Sequence, residues 1–517
     1  MRASQVTPGF DDIVNFLSKP AAYGAKGFVK KIETHGAIVF LVGDEAYKLK
    51  RRVRFPYMDF STLPKRRAAC ESEIAVNKAN APELYLGVIP LTYDGSRLHL
   101  GGDGKVVDFV VHLRRFNEEE TFDRLPRQRL QDPGLIDDLA HVVAMAHRRA
   151  LPCDGRFAAN SLRQHLIETL DELVDCADLC SFYEIEELRI LLISAFEHSR
   201  PLLKQRVSSG NVRRCHGDLH LRNIALIDGK PVLFDAIEFN NSLAEIDTLY
   251  DLAFLLMDLC ENRCRASANR LLNRYIWDSD EEFLQVEGLR LLPFFLSLRA
   301  LIRAKVTLSL RKLGGARPEL CTQAQGYFRA ARHFLDKAPV QLVAVGGLSG
   351  SGKSTLATWL APSFGAAPGA LHLRSDIERK HLFQVRETVR LPKGSYATDT
   401  TGPVYHRLHD LVAIALQAGR SVIVDATYQN RDQRHAIESV ARRLSVPFTG
   451  IWLQAPIDKL KERVASRSGD ASDADVSVVE LQAKSQMDDV RWKLIDASGP
   501  KGRVAEAAAR HLGIELI

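Results

Sequence analysis

Apolar side chains recur at two spacings along the chain, and these spacings predict strands near the beginning and helices through the middle. Two β-type runs within residues 33–50 meet at Gly43 and Asp44, a pair typical of a hairpin turn. Helical spacing dominates most of the sequence from 131 to 335. The other predicted elements are a helix over 63–80 and β-type runs over 87–91, 106–113, 223–227 and 231–234. Strand-rich sequence therefore precedes a long helical region.

The pattern changes near residue 337. After a break at Lys337 and Pro339, apolar β-type runs alternate with amphipathic helical stretches. The β-type runs cover 341–345, 370–373, 421–424 and 447–453, and the helical stretches cover 354–362, 405–417 and 431–444. Alternation at this spacing predicts a parallel sheet with helices on both faces. We therefore expect two parts, residues 1–336 and residues 337–517.

Composition places the chain among folded, multidomain proteins. Its 517 residues correspond to about three domains of typical size. Hydrophobic residues make up 46% and charged residues 26%, enough apolar material to exclude extensive disorder. The formal net charge of +6 is small for this length and argues against a dedicated nucleic-acid coat protein. A basic cluster at 48–67 is either a solvated surface or a site for an anionic ligand.

The lack of a secretory signal and of a membrane-spanning run predicts a cytoplasmic protein, and this location bears on the cysteines. The first residues lack an apolar segment followed by a small-residue cleavage site, and no apolar run is long enough to cross a membrane. Eight cysteines in such a protein are expected to be thiols. The pairs Cys176/Cys180 and Cys260/Cys264 lack the usual spacing of zinc modules, so thiols are favoured over a metal site with four cysteines.

A glycine-rich segment after the β-type run at 341–345 has the spacing of a phosphate-binding loop. Residues 347–354, GLSGSGKS, fit the pattern G-x4-G-K-[S/T] between a predicted strand and a predicted helix. Glycines let successive backbone N–H groups face the phosphates of ATP, and the helix N-terminus adds positive potential. Lys353 would reach the β- and γ-phosphates, and the Ser354 hydroxyl would bind Mg²⁺. The predicted nucleotide-binding residues here are Gly347, Ser349, Gly350, Ser351, Gly352, Lys353, Ser354 and Thr355.

Two further segments near this loop suit kinase chemistry. Asp425 ends the apolar strand VIVD and suits a position that supports Mg²⁺. Asp376 and Arg379 lie three residues apart at the beginning of a helix, so they share one face. Asp376 would accept the proton of a substrate hydroxyl while Arg379 holds an anionic group. The alternative interpretation of this segment is an N-cap by Ser375 with acidic residues in the first turn.

This half resembles the small P-loop kinases of the AAA_33 type, which are related to polynucleotide kinase and zeta-toxin-like kinases. The match spans most of residues 341–495 and rests on GLSGSGKST, RSDIERK, VIVDAT and the late pair Arg463 and Arg467. The resemblance implies an α/β P-loop NTPase fold, with Asp376 as general base and Arg379 as a clamp on the substrate. It also implies that the late pair are lid arginines near the transferring phosphate. The following segment, SGDASDAD, is alternatively a plain acidic loop.

A second, unrelated set of phosphate-handling motifs lies in the first part of the chain. Asp218 and Asn223 stand five residues apart in HGDLHLRN, and Asp235 follows at a predicted strand end in LFDAIEF. A base, a metal-binding Asn and a metal-binding Asp occur in this order in eukaryotic-like kinases. The order predicts a second ATP and Mg²⁺ site, with ordinary loop capping as the alternative.

A lysine of this second site is expected upstream. Lys48 ends a β-type run, as a phosphate-pairing lysine does, and Glu73 on the next predicted helix would orient it. Lys50 and Glu71 are the alternatives, because strand register cannot settle the choice.

This half resembles the aminoglycoside phosphotransferase family, within the protein-kinase-like fold, over about residues 33–300. The resemblance implies an α+β fold with an N-lobe to about residue 115 and a helical C-lobe over about 116–336. The resemblance implies that Asp218 is the catalytic base and that Lys48 binds ATP. It also implies that Asn223 and Asp235 are the two Mg²⁺ ligands.

The same resemblance implies further roles and shows two departures. Residues 110–115 would form the hinge beside adenine, and Asp247 and Asp251 would hold the catalytic loop from below. The glycine-rich loop that covers the phosphates is poor in glycine here, and Ala236 replaces the usual Trp or glycine.

The whole chain resembles bacterial bifunctional aminoglycoside phosphotransferase/ATP-binding proteins. The leading hypothesis is therefore a kinase that uses ATP and Mg²⁺ at two centres, each phosphorylating a hydroxyl of a small-molecule acceptor. A second hypothesis makes one half a nucleotide-sensing module that regulates the other. A third makes the C-terminal half a nucleic-acid 5′-end kinase, which is disfavoured because that half has few aromatics for base stacking and no long basic stripe.

Overall fold

The structure is a computed structural model that describes residues 8–55, 57–155, 158–174, 181–314, 318–396, 398–467, 471–484 and 490–517. Backbone contacts divide the chain into two compact units. The first unit is drawn from residues 1–130, 145–161 and 207–252. The second is drawn from residues 131–144, 162–206 and 253–517.

The helices and strands are numbered separately in chain order. The helices in the described ranges are α1 (Phe10–Leu17), α2 (Leu63–Asn77), α3 (Arg127–Leu130), α4 (Pro133–Arg149), α5 (Ala158–Val174), α6 (Phe182–Ser208), α7 (Asn241–Ala244), α8 (Thr248–Glu261), α9 (Arg265–Trp277), α10 (Glu282–Gly288), α11 (Leu292–Gly314), α12 (Pro318–His333), α13 (Lys353–Leu360), α14 (Ser375–Leu382), α15 (Thr398–Gln417), α16 (Arg431–Arg443), α17 (Ile457–Ala465), α18 (Val476–Lys484) and α19 (Lys501–Leu512). The strands are β1 (Lys30–Glu33), β2 (Ala37–Val42), β3 (Glu45–Lys50), β4 (Arg54–Phe55), β5 (Met58–Asp59), β6 (Tyr85–Tyr93), β7 (Leu98–Leu100), β8 (Lys105–Arg114), β9 (Val212–Arg214), β10 (Ile224–Ile227), β11 (Lys230–Leu233), β12 (Glu245–Asp247), β13 (Leu342–Gly347), β14 (Leu371–Arg374), β15 (Val422–Asp425), β16 (Phe448–Gln454) and β17 (Lys493–Asp496).

An antiparallel six-stranded sheet dominates the first unit, in the order β1-β2-β3-β8-β6-β7. The predicted hairpin is confirmed: β2 pairs with β3 across Gly43, whose φ of 55° lies in the left-handed region that suits glycine. Phe40 and Leu49 from these two strands are fully buried with Ile13 and Leu17 of α1. This apolar core fixes β3, the strand that carries Lys48.

Two short antiparallel ribbons follow in the same unit. β9 pairs with β12, and β10 pairs with β11. The predicted β-type pieces at 223–227 and 231–234 are thus confirmed, and their turn has positive φ at both Asp228 and Gly229, as tight hairpins favour. The ribbons frame residues 215–223, which connect β9 to β10, and residue 235, which closely follows β11.

A parallel five-stranded sheet lies in the second unit, in the order β14-β15-β13-β16-β17. This confirms the parallel sheet that the alternation of strands and helices predicted. β17 was not predicted, because only one of its four side chains is buried and the apolar signal is weak. β13 is central, and residues 348–352 connect it to α13.

Helices α13 and α19 pack over this sheet. Val343 and Val345 of β13, Ile423 of β15, Leu360 of α13 and Ala508 of α19 are all fully buried in one apolar cluster. Burial of this kind is worth roughly 1.5–3 kcal/mol for a valine, leucine or isoleucine side chain. The cluster therefore holds β13 and α13 on both sides of the loop that joins them.

Two further expectations from the sequence concern membrane-spanning helices and the state of the cysteines. In the described part of the chain, no helix is long and apolar enough to span a membrane. Cys260 in α8 and Cys264 just after it are thiols outside any disulfide, and burial raises the pKa of Cys260 to about 12. The other pair, Cys176 and Cys180, lies outside the described residues.

Gly450 in β16 is covered by the ring of Trp492. A Cβ atom at this glycine would lie 2.3 Å from Cγ of the ring. The indole N–H of Trp492 donates to the Glu438 carboxylate at 2.8 Å, so the ring is anchored. Because the strand backbone and the ring are both held, the position requires glycine.

We expect Gly450→Ala to lower the free energy of unfolding by about 1–3 kcal/mol, because an added methyl group overpacks the anchored ring. The shift in the thermal unfolding midpoint of the full chain measures this loss. The matched control is Gly502→Ala in α19, where the nearest atom to a built Cβ lies 3.9 Å away and alanine suits the helix. Equal midpoints for the two variants would contradict the packing argument.

Candidate active sites

Asp251 of α8 holds the loop that connects β9 to β10. Its carboxylate accepts the backbone N–H of His216 at 3.0 Å and that of Gly217 at 2.9 Å, and His147 Nε2 lies 3.1 Å away. Gly217 has a φ of 83°, and a Cβ there would lie 2.9 Å from a backbone carbonyl oxygen. Asp247, the other predicted support, accepts a backbone N–H at 2.8 Å at the start of α8. Asp251 therefore contacts the loop in the way that the sequence predicted.

The predicted base and the predicted metal-binding amide lie together in this loop. Asn223 Nδ2 donates to the backbone oxygen of Asp218 at 2.9 Å and to its Oδ2 at 3.0 Å. His220 Nε2 lies 3.3 Å from the same carboxylate, whose side chain is 40% exposed. An acceptor hydroxyl in solution can therefore reach the Asp218 carboxylate.

Lys48 lies between two carboxylates. Its Nζ is 2.9 Å from Glu73 Oε1 and 2.6 Å from Asp235 Oδ1. Burial lowers the pKa of Lys48, but the carboxylates around it, Asp235 first, raise it well above its usual value. Glu71, the alternative partner, is exposed and pairs with Arg67 at 2.8 Å. Of the two glutamates that the sequence left open, Glu73 is the one beside Lys48.

Lys50, the alternative lysine, belongs to the same network. It binds the second carboxylate oxygen of Glu73 and also Glu238, and all three side chains are buried. Lys48 and Lys50 share one face of β3 because strand side chains alternate in direction. Sequence reasoning missed Glu238, although a carboxylate three residues after Asp235 is a visible signal.

The backbone at Asp235 is held in an uncommon conformation. Its φ is 60°, a value that few non-glycine residues adopt. The N–H of Asp235 donates to Tyr85 Oη at 2.9 Å, and the N–H of Ala236 donates to Asn77 Oδ1 at 2.8 Å. Burial raises the pKa of Asp235, but the Lys48 ammonium outweighs burial and lowers it. Tyr85 and Asn77 carry no sequence signal, because they resemble ordinary members of a strand and a helix.

The phosphate-binding loop of the second unit depends on glycine at defined positions. Gly347, Gly350 and Gly352 have φ values of 141°, 82° and 93°. A Cβ at Gly347 would lie 2.6 Å from the backbone oxygen of Leu453, and one at Gly350 would lie 2.7 Å from that of Leu460. Close neighbours and positive φ together exclude other residues from these two positions.

The two predicted Mg²⁺-binding residues of this unit lie side by side. Ser354 Oγ donates to Asp425 Oδ1 at 3.2 Å, and His372 Nε2 lies 2.6 Å from Asp425 Oδ2. Burial lowers the pKa of His372, and its Nε2–H donates to the carboxylate. Burial raises the pKa of Asp425, but the hydrogen bond from His372 and the nearby charges, among them Arg374 and Lys353, together outweigh burial and lower that pKa. A hydroxyl and a carboxylate are the oxygen donors that Mg²⁺ prefers.

A cavity of about 1110 Å³ opens beside this loop. Most of the residues that the sequence predicted for this half line it, whereas Gly347 and Asp425, each at the end of a strand, do not belong to its lining. The predicted residues in its lining are Ser349, Gly350, Ser351, Gly352, Lys353, Ser354, Thr355, Asp376, Arg379, Arg463 and Arg467.

Asp376 and Arg379 lie one turn apart in α14 and both face the cavity. Arg379 Nη1 donates to the backbone oxygen of Ser395 at 2.8 Å, and its guanidinium lies 4.7 Å from the ring centre of Tyr396. The alternative interpretation, an N-cap by Ser375, is wrong: the preceding residue holds the cap position, and no side chain caps this helix. The two side chains therefore line one cavity.

The late arginines bind backbone oxygens at two different places. Arg463 Nη2 donates to Ala497 O at 2.8 Å, beyond β17. Arg467 Nη2 donates to Ser472 O at 3.0 Å and to Ala474 O at 3.2 Å. The second arginine therefore shapes the segment that follows it.

Asp473 in that segment ties several elements together. Its Oδ2 accepts from Lys380 Nζ at 2.6 Å, Tyr396 Oη at 2.6 Å and the N–H of Leu391 at 2.9 Å. A plain acidic loop is therefore the wrong interpretation of residues 471–475 of SGDASDAD, whereas residues 468–470 lie outside the described residues. Sequence reasoning missed Asp473 because its partners lie far away along the chain.

Comparisons with known proteins match both halves. The model of the phosphotransferase enzyme family (APH) matches residues 48–286, and that of an AAA domain (AAA_33) matches residues 342–488. Uncharacterized proteins of Mycobacterium tuberculosis and Mycobacterium bovis are 30% identical over 486 residues, which cover 92% of this chain and 94% of theirs. Among solved structures, a sugar kinase from Janibacter sp. HTCC2649 is 21% identical over 34% of this chain and 96% of its own, with a TM-score of 0.26. A choline/ethanolamine kinase family protein from Mesorhizobium loti is 13% identical over 62% of this chain and 93% of its own, with a TM-score of 0.39.

The buried network around Lys50 makes Glu238→Gln a sharp test of the first site. Loss of the carboxylate leaves Lys50 to compete with Lys48 for Glu73, and breaking a buried ion pair costs about 3–5 kcal/mol. We expect faster hydrogen exchange in β3 and α2 and a lower urea midpoint. Glu71→Gln removes an exposed carboxylate from the same region and should leave both unchanged. A Glu238→Gln variant as stable as Glu71→Gln would show that the network is not needed.

Proposed function

The chain belongs to the family of proteins that join an APH phosphotransferase domain to an AAA_33 domain, and from this premise we propose a kinase with two catalytic centres. The protein is a phosphotransferase enzyme of the kinase type. In our proposal each centre transfers the γ-phosphate of ATP to a hydroxyl of a small-molecule acceptor. Residues 1–336 supply the first centre, and the loop of the second lies in residues 337–517. The observation that carries the proposal is that each of two unrelated sites combines a lysine, oxygen ligands for Mg²⁺ and a separate carboxylate.

In the first centre each side chain would have a role that follows from its position. Lys48, oriented by Glu73, would hold the phosphates of ATP. Asp235 and Asn223 supply oxygens that fit Mg²⁺, which when bound neutralises phosphate charge. Asp218 is exposed to solvent and would take the proton of the acceptor hydroxyl.

In the second centre the loop backbone and Lys353 would cradle the β- and γ-phosphates. Ser354 and Asp425 are the oxygen donors that fit Mg²⁺, and a 3.2 Å hydrogen bond joins their side chains. Asp376 would act as the base, with Arg379 holding the acceptor. Both line the cavity but lie on α14, away from the loop.

Two arginines would complete the second centre. Arg463 and Arg467 line the same cavity and would bind the nucleotide. Arginine stays charged and offers five N–H donors, so the bond from Arg463 to the backbone oxygen of Ala497 leaves donors of that side chain for a phosphate.

The competing function keeps one active P-loop kinase and makes the first site a nucleotide-binding regulator. It is favoured by the turn from β1 to β2, in which Gly36 is the single glycine available to cover phosphates. The acceptor of the P-loop kinase would then be a small molecule or a polynucleotide 5′-hydroxyl. Transfer of labelled phosphate from ATP to a 5′-hydroxyl oligonucleotide tests the polynucleotide acceptor directly.

We expect Asp218→Ala and Asp376→Ala to abolish two different sets of phosphorylated products. Each substitution removes one base, and a positioned base contributes about 10²–10⁴ in rate. Mass spectrometry of a cell metabolite extract, incubated with ATP, Mg²⁺ and the full chain, identifies the products. Glu71→Gln is the control and should keep both sets. If only the Asp376 variant lost products, the first site would be the regulator; if neither did, the proposal would fail.

Substitution of the base and substitution of a phosphate-binding residue should have different effects on ATP affinity. Asp376→Ala should keep the ATP affinity of the second centre, because the loop and Lys353 hold the triphosphate. Lys353→Ala should weaken it, because its charge meets the phosphates in every state. Calorimetric titration of full-length variants with ATP and Mg²⁺ measures both. Equal losses of affinity would show that Asp376 does not lie on the acceptor side.

A further inference from the structure

β14 is an edge strand of the parallel sheet, and among the strands of the described residues none lies beyond it. Its outer backbone groups instead bind side chains of α9. Asn269 Nδ2 donates to Ala370 O at 2.9 Å, and the N–H of His372 donates to Asn273 Oδ1 at 2.7 Å. Trp277 Nε1 donates to His372 O at 3.2 Å. One helix therefore satisfies the open edge of the sheet.

The side chains that bind the strand edge share one face of α9. Asn269, Asn273 and Trp277 are four residues apart, which places them on one face of the helix. Both asparagines are buried, at 3% and 4% exposure. A buried polar group without a partner costs roughly 1–3 kcal/mol, and the strand edge supplies the partners of Asn269 Nδ2 and Asn273 Oδ1.

The contacts continue from α9 to the predicted Mg²⁺ ligands. Asn273 and Trp277 hold the backbone of His372 on both of its polar atoms. The side chain of His372 lies 2.6 Å from Asp425 Oδ2, and Asp425 in turn accepts from Ser354. The ring of Trp277 also packs edge-on against that of His372, with 5.7 Å between ring centres. His372 is therefore fixed at its backbone and ring by one helix.

The same segment reaches α14, the helix that carries Asp376. His381 Nε2 lies 2.9 Å from the backbone oxygen of Trp277, and its Nδ1 lies 3.0 Å from Glu282 of α10. Arg407 of α15 also binds Glu282, at 2.6 Å. The segment α9–α10 thus contacts the metal side and the acceptor side of one centre.

We propose that α9 contributes to the P-loop centre. This helix precedes the predicted boundary at residue 337 and lies within the region that the phosphotransferase model matches. Asn273 and Trp277 are positioning residues: they set His372, and through it the orientation of Asp425 toward Mg²⁺. The groups behind a metal ligand commonly tune metal affinity in this way. This role of α9 rests on the proposed function of the P-loop as a site for ATP and Mg²⁺.

The test compares ATP affinity with and without Mg²⁺ in the full chain. Lys48→Ala is carried in every sample, so that calorimetric titration with ATP reports the P-loop site. We expect Asn273→Ala and Trp277→Phe to reduce the Mg²⁺-dependent gain in ATP affinity by about 3–10-fold, less than the 10–100-fold typical for a direct neighbour of a metal ligand, such as His372→Ala. ATP affinity without Mg²⁺ should be unchanged, because Lys353 and the loop backbone are untouched.

Two further measurements distinguish a positioning role of α9 from a general loss of stability. Hydrogen exchange at the His372 amide should accelerate in Asn273→Ala. The matched control is Asn262→Ala, whose side-chain amide follows α8 and donates to Asp258 of that helix, and which should change neither reading. Trp277→Phe keeps an aromatic ring and carries the test if Asn273→Ala does not fold.

The outcomes are distinguishable. An unchanged Mg²⁺-dependent gain in both variants would overturn the positioning role of α9. ATP binding that survives Lys353→Ala would instead remove the proposed function of the loop, and the role of α9 with it. A loss of ATP affinity that is equal with and without Mg²⁺ would indicate general damage to the site and would also overturn the proposal.

Discussion

A charge that is shielded from water needs a partner inside the protein, and this requirement organises both centres. Glu73 is shared by Lys48 and Lys50, and Asp425 is matched by His372 and Ser354. In each case the group that would face phosphate or metal is fixed by a group behind it. Such preorganised groups act without rearranging during the reaction. The two sheets make this pairing possible, because they bring together side chains that are distant along the chain.

Arrangements of residues that lie close together along the chain were predicted well from the sequence. The loop at 347–354 and the pair Asp218 and Asn223 depend on local spacing, and the structure brings each together. Lys48 and Lys50 could not be separated, because alternation in a strand puts both on one face and the structure uses both. The Ser375 cap was wrong because capping depends on the backbone at one residue, and helix ends are uncertain by one or two residues in any sequence pattern.

Residues that act across the fold left no such signal. His372 resembles a lone polar residue in an apolar strand, and Asp473 resembles a loop acid. Each acquires its role from partners more than fifty residues away, Asp425 in one case and Lys380 in the other. Buried asparagines four residues apart in α9 are the exception. Such a pair on one helix face indicates an unseen polar partner, since an apolar core would leave Asn269 Nδ2 and Asn273 Oδ1 unsatisfied.

The contact between α9 and β14 also sets an order of events during synthesis. α9 leaves the ribosome about 90 residues before β14, which at typical elongation rates is about 5–20 s earlier. During that interval the asparagine face of the helix has no strand to bind. When the strand arrives, its edge meets a preformed cover and is closed against other chains, whereas a fragment that began after α9 would expose that edge to strand-by-strand association. The position of α9 before β14 in the chain therefore protects the edge of the sheet.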